Sequence, residues 1–185
     1  STHEITLFPY TTLFRSPAPP VLERAVWLPD GLPLADFAFV DESGAPFDAR
    51  RLRGRWTYVF FGFASCPDIC PTTLADLGSA IRELPAEDRD RVNVVLITVD
   101  PKRDDGELMR NYLSHFFESN PSQALRTDDP GRLAEAERAF GASHKLGKPK
   151  RDGSYDVSHT AYTYAVDSSG EVVVQWPFAT LPEDI

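Results

Sequence analysis

A nearly unbroken apolar run, residues 56–63, leads into Cys66-Pro67-Asp68-Ile69-Cys70-Pro71, and this junction constrains the fold more than any other stretch. Continuous apolar and aromatic residues without alternation mark a strand covered on both faces. Pro71 suits the first position of a helix but not its interior, so a helix is expected to begin there. Cys70 precedes that proline, is pushed toward extended backbone and suits an N-cap. Both cysteines of the chain lie in this loop, between a strand end and a helix N-terminus. The positive end of a helix favours the thiolate, the form that binds metals and attacks disulfides. A bridge closing so short a loop constrains the unfolded chain little. A redox or metal role is therefore favoured over a structural disulfide or inert core thiols.

Around that junction the pattern alternates between strand and helix. Residues 34–41 alternate partly and meet the turn Glu42-Ser43-Gly44, which predicts an N-terminal hairpin. Leu74, Leu77, Ile81 and Leu84 repeat at helical spacing and stop near Pro85. Residues 92–99 are β-branched and almost uniformly apolar, a second buried strand. It ends in Asp100-Pro101-Lys102-Arg103-Asp104, where Asp100 and Asp104 are expected to form a turn and cap a helix. The following helix carries Leu108, Met109, Tyr112, Leu113, Phe116 and Phe117 on its expected buried face, and a short helix is predicted over residues 130–140. Residues 141–155 show no periodicity. Two strands, 160–167 and 171–176, flank Ser168-Ser169-Gly170, a hairpin signal. The order strand, helix, strand, helix, hairpin is that of an α/β thioredoxin-like fold, with parallel strands and a right-handed crossover. In such sheets active groups gather at the carboxyl ends of the parallel strands, where Cys66 and Cys70 lie.

The two ends read differently. Residues 1–20 lack periodicity and run into Pro17, Pro19 and Pro20; they are expected to be a non-native or disordered tail, leaving 21–185 as the domain. The chain opens on Ser1, which suggests a fragment or a processed protein, and closes on Leu181-Pro182-Glu183-Asp184-Ile185, which reads as the opening of a truncated C-terminal helix. A formal charge of -9 with no basic stripe argues against nucleic acid as partner. No apolar run is long enough to span a bilayer.

Four histidines are candidates for company with the thiols: His3, His115, His144 and His159. His3 falls in the suspect tail, His115 sits among charged neighbours as a surface residue, and His144 lies in the aperiodic loop. His159 immediately precedes a predicted strand that faces the cysteine turn in a thioredoxin-like fold. It is either an ordinary satisfied histidine or a third ligand. Two thiolates and one imidazole make a soft three-coordinate set suited to copper, whereas structural zinc asks for a fourth protein ligand.

The run 62–74, with Gly62-Phe63-Ala64-Ser65-Cys66-Pro67-Asp68-Ile69-Cys70-Pro71 at its centre, resembles the signature of the SCO/SenC copper chaperones. Ile97-Thr98-Val99-Asp100-Pro101-Lys102-Arg103-Asp104 is similar to the family's second motif, and Tyr155-Asp156-Val157-Ser158-His159-Thr160 to its histidine motif. The resemblance covers the chain from about residue 34 onward. It implies copper, as Cu(I) or Cu(II), held by Cys66, Cys70 and His159 and delivered to the Cu-A subunit of cytochrome c oxidase. It also implies exchange with other copper chaperones or thiol reductants, a bacterial periplasmic location, and an inner-membrane anchor upstream of this segment. The alternative is a thiol–disulfide oxidoreductase using Cys66 and Cys70 on an oxidase subunit or another extracytoplasmic partner. Against it stand the three-residue spacing of the cysteines and His159, where thioredoxin-like reductases commonly carry a proline, just before the strand that opens at Thr160.

Overall fold

The computed structural model describes residues 25–33, 38–118 and 120–180. The tail at 1–20 and the predicted helix opening at 181–185 lie outside the described residues, as do residues 34–37 of the predicted hairpin. Ten strands and four α-helices follow in chain order among the described residues. They are β1 (Val26–Pro33), β2 (Ala38–Asp41), β3 (Pro46–Asp48), β4 (Trp56–Gly62), α1 (Ile69–Glu83), α2 (Ala86–Arg89) and β5 (Val92–Thr98), continuing with α3 (Gly106–Ser114), β6 (Ser122–Arg126), α4 (Pro130–Phe140), β7 (His144–Leu146), β8 (Val157–His159), β9 (Tyr162–Val166) and β10 (Glu171–Pro177).

Eight of these strands form one sheet in the order β1-β10-β9-β4-β5-β6-β2-β3, and β7 and β8 pair by themselves. The apolar runs sit at its centre because only there are both faces covered. Val59, Phe60, Val94, Val95, Leu96 and Ile97 are all fully buried. Strands β4 and β5 run parallel in the register Trp56↔Val92 to Gly62↔Thr98, and β6 continues the parallel set beside β5. Their carboxyl ends therefore emerge side by side. On its other edge β4 pairs antiparallel with β9, Phe60 opposite Thr163. The entrance to β9, just after His159, is thereby brought to the same end of the sheet.

Helix α1 packs Leu74, Leu77 and Ile81 into the core, each worth about 1.5–3 kcal/mol of transfer free energy. The expected face of α3 needs correction. Met109, Leu113 and Phe117, spaced by four, are buried, while Leu108 is 41% exposed because it stands one residue, or 100° of rotation, off that stripe. Helix α4 occupies 130–140 as expected, opened by Asp129 donating no proton but accepting from the N–H groups of Gly131 and Arg132, and closed by Gly141 in the left-handed region at φ 67°. The predicted hairpins appear as β2–β3 and β9–β10. Strand β6 was not expected: Ser122-Gln123-Ala124-Leu125-Arg126 is short and has no β-branched residue, yet its pairing with β5 buries Ala124 and Leu125. Neither was β7, inside the stretch read as an aperiodic loop. The α/β thioredoxin-like architecture stands.

Candidate metal centre

The cysteine turn is tighter than the proline pattern suggests. Helix α1 begins at Ile69, not Pro71, with Asp68 rather than Cys70 in the capping position and no side-chain cap bond. Pro71 is thus the third helical residue. The first intrahelical bond is Thr72 N–H to Asp68 C=O at 3.2 Å, so the proline occupies a position whose N–H has no helical partner to lose. Cys70 falls within the first turn, and its N–H points at Cys66 Sγ, 3.4 Å away. Asp68 itself is an exposed loop acid. Both cysteines are free thiols, Cys66 partly exposed and Cys70 fully buried.

His159 ends β8 and reaches across to the same point. Its Nδ1 donates to the Thr160 carbonyl at 3.0 Å, which leaves Nε2 of the neutral ring as the acceptor, 3.4 Å from Cys70 Sγ. The rings of Phe60 and Phe63 stand edge-on to the imidazole at 5.8 and 5.9 Å and fix its plane. The two sulfurs and the imidazole nitrogen all lie within 4.8 Å of one another. Gly62 makes room for this: a Cβ there would stand 2.6 Å from the Phe60 ring and 3.0 Å from Cys70 Sγ.

Electrostatics here contradict one expectation. Burial pushes the Cys70 thiol well above the ordinary range, reinforced by its neighbours Cys66 and Asp104. The helix N-terminus does not make Cys70 a ready thiolate, because desolvation of the charged sulfur is the larger effect. Burial likewise lowers the His159 imidazole below its usual range, opposed by the Thr160 carbonyl and assisted by His144. The resting pair is a protonated thiol donating to a neutral imidazole. A soft cation that displaces that proton meets two sulfurs and one nitrogen already converged, the donor set preferred by copper.

A family model described as SCO1/SenC matches residues 32–185. The chain belongs to the SCO1/SenC family. Among its relatives, the mitochondrial SCO2 homolog of Mus musculus is 36% identical over 136 residues, covering 73% of this chain and 52% of that protein. The chain thus spans about half the length of that relative. The structure of Bradyrhizobium japonicum ScoI with copper bound superposes with a TM-score of 0.71 at 34% identity, covering 82% of this chain and 94% of the other. Apo Sco1 from Thermus thermophilus gives a TM-score of 0.73 at 32% identity, covering 86% and 87%.

Beneath the cysteines of this SCO1/SenC chain lies a polar buttress. Asp104 was expected to cap the next helix, but Asp105 does so, accepting from Leu108 N–H at 2.8 Å. Asp104 is instead fully buried, its Oδ2 accepting from Ala64 N–H at 3.1 Å and Thr98 Oγ1 at 2.6 Å. It thereby ties the end of β5 to the cysteine loop. Asp100 does make the expected turn, accepting at its carbonyl from the N–H groups of Arg103 and Asp104. Its buried carboxylate also pairs with the Arg103 guanidinium and accepts from Tyr155 Oη at 2.7 Å. Arg103 in turn lies over the rings of Tyr155 and Phe63, 4.2 and 5.6 Å from their centroids. The segment leading to His159 is fastened to the floor of the site through this cluster. The contact between the Asp-Pro motif and Tyr155 is not legible in the sequence, since Arg103 and Tyr155 lie 52 positions apart. His115 is exposed at the end of α3, as expected, and bonds the Asn111 carbonyl. His144, left open by the sequence, pairs with Glu137 at 2.6 Å.

Proposed function

We propose that this chain binds copper between Cys66, Cys70 and His159 and passes it on by ligand exchange, as a metallochaperone for the Cu-A centre of cytochrome c oxidase. The observation that carries the reading is the convergence within 4.8 Å of two sulfurs from one tight turn and an imidazole nitrogen from a distant strand. Support for copper as cargo comes from the B. japonicum ScoI structure with copper bound, of which this chain covers nearly the whole length. Support for the oxidase as recipient comes from the family to which the chain belongs. The same reading carries with it an extracytoplasmic setting in the bacterial periplasm with a membrane anchor; among the described residues no helix is long and apolar enough to cross a membrane.

The chemistry follows from exposure. Cys70 is sealed below, whereas Cys66 and His159 are only partly covered. A recipient's ligands approach on the Cys66 and His159 side and displace those donors first, with the buried sulfur released last. Binding expels the Cys70 proton, so affinity is linked to pH. Joining the two sulfurs in a disulfide removes both thiolate donors, which makes thiol redox state the gate on loading. The test is titration of the reduced chain with copper, alongside Cys66→Ser, Cys70→Ser and His159→Ala. Equimolar binding by the wild type and sharp weakening in each variant are expected. Unchanged affinity in all three rejects the reading, and rapid reduction of a protein disulfide without copper affinity selects the oxidoreductase alternative.

A further inference from the structure

Among the described residues, His144 is a histidine near the pocket that the copper reading above does not use. In the β7–β8 ribbon His144 stands opposite His159. The flanking bonds, Thr160 N–H to Ser143 C=O at 2.9 Å and Gly147 N–H to Asp156 C=O at 2.7 Å, set the alternation of the ladder. By that alternation 143/160, 145/158 and 147/156 are hydrogen-bonded pairs, and 144/159 is a non-hydrogen-bonded pair. Side chains of such a pair project from the same face with their Cα atoms only about 4.5 Å apart. Two imidazoles at this spacing are within reach of a common ion.

A second observation shows that His144 is held in a ligand's posture. Its Nδ1 lies 2.6 Å from Glu137 Oε1, and the Glu137 side chain is only 9% exposed. A carboxylate can only accept, so Nδ1 donates, which leaves Nε2 as the ring atom turned toward an incoming ion. His159 is fixed in the same tautomer by the Thr160 carbonyl. A buried carboxylate that orients an imidazole through its distal N–H is the usual outer support of a metal-binding histidine. His144 is 21% exposed at its side chain, so it meets solvent at the rim, as the buried Cys70 sulfur does not.

We propose that His144, oriented by Glu137, joins His159 as a two-imidazole landing site that takes Cu(II) at the rim of the pocket before the thiolates engage it. Imidazole accepts Cu(II), whereas the sulfurs favour Cu(I), so the rim site serves the oxidation state that the thiol pair prefers less. This rests on the copper reading above, extended to a residue outside the three converged donors.

The experiment uses the full chain in two arms. In Cys66→Ser/Cys70→Ser, with folding checked by circular dichroism, Cu(II) is titrated and nitrogen ligands are counted from the hyperfine structure of the electron paramagnetic resonance spectrum. Two nitrogens are expected; adding His144→Phe leaves one, and because even an outer-shell partner is worth about 10–100-fold in metal affinity, it weakens binding by about tenfold or more. Glu137→Gln retains both nitrogens with weakened affinity, an outcome that a purely structural Glu137 would not produce. In the second arm, reduced wild-type chain and His144→Phe are mixed with Cu(II), and sulfur-to-copper charge-transfer absorption is followed in time. Slower uptake in the variant supports the proposal and keeps it testable should the double serine variant not fold. An unchanged nitrogen count and affinity on His144→Phe, or unchanged uptake, overturns it. Absence of any charge-transfer band in the wild type would instead reject the thiolate site, independently of the nitrogen count.

Discussion

Replacing Gly62 by alanine is the smallest change that tests how the fold makes room for the buried sulfur. The added methyl would stand 2.6 Å from Phe60 Cε1, 3.2 Å from Phe60 Cδ1 and 3.0 Å from Cys70 Sγ. Carbon atoms settle at about 3.5–4.0 Å, so the closest contact is too short by roughly 1 Å. Phe60 is fully buried and its ring stands edge-on to His159, which leaves nowhere for it to retreat without tilting the imidazole. Overpacking of this kind costs about 1–3 kcal/mol. The loss of glycine's freedom in the unfolded chain returns about 0.4–1 kcal/mol, for a net destabilisation of about 1–2 kcal/mol. Urea denaturation of the reduced apo chain measures that figure, and a copper titration of the same variant measures the second consequence, weaker binding as Cys70 Sγ and the His159 ring are pushed apart. A Gly62→Ala chain that unfolds within about 0.5 kcal/mol of wild type, a shift typical of neutral substitutions, and that binds copper unchanged would refute the packing argument.

The electrostatics predict that copper affinity rises with pH, by about tenfold per unit for each proton released. Cys70 supplies such a proton because burial keeps its thiol protonated; His159, already neutral, supplies none. A flat profile between about pH 6.5 and 8.5, across the ordinary imidazole and thiol ranges, contradicts this. The raised Cys70 value also means that apo stability is full below the ordinary thiol range and declines as the pH climbs toward the folded value, measurable by thermal melts in alkaline buffers. Tyr155→Phe removes a donor from the buried Asp100 carboxylate; a loss of about 1–3 kcal/mol is expected in denaturant, with weakened copper binding because Tyr155 leads directly into β8, which ends at His159. On α3, Met109→Ala is expected to cost about 2–5 kcal/mol, whereas Leu108→Ala, one residue away and exposed, changes chemical denaturation by no more than about 0.5 kcal/mol.

What the sequence disclosed depended on how local the signal was. Residues 56–63 and 92–99 declare central strands because each is apolar on both faces, and Leu74, Leu77 and Ile81 declare a helix by spacing alone. The cysteine turn was legible to within two residues; the proline rule placed the helix start at Pro71, but the first three positions of any helix tolerate a missing N–H. Strand β6 escaped because Ser122 to Arg126 becomes a strand through pairing with β5, not through its own composition. His159 and Cys70 lie 89 positions apart, and no periodicity reports their convergence; the antiparallel pairing of β9 with β4 brings it about. The Cys70 thiol departs from the sequence expectation for a related reason. A helix N-terminus is visible in sequence, but the burial that outweighs it at Cys70 appears only once Phe60, Phe63 and Leu74 are packed. Asp104 and the Asp100–Arg103–Tyr155 cluster were hidden likewise, acids in a turn motif that fold inward.

X-ray absorption at the copper edge of the reduced, Cu(I)-loaded chain inspects the donor set itself. A first shell of two sulfurs and one imidazole nitrogen is expected, with the nitrogen lost in His159→Ala and a sulfur lost in Cys66→Ser. A shell in the loaded wild type that contains no sulfur, or one that His159→Ala leaves unaltered, contradicts the assignment of copper to these three residues.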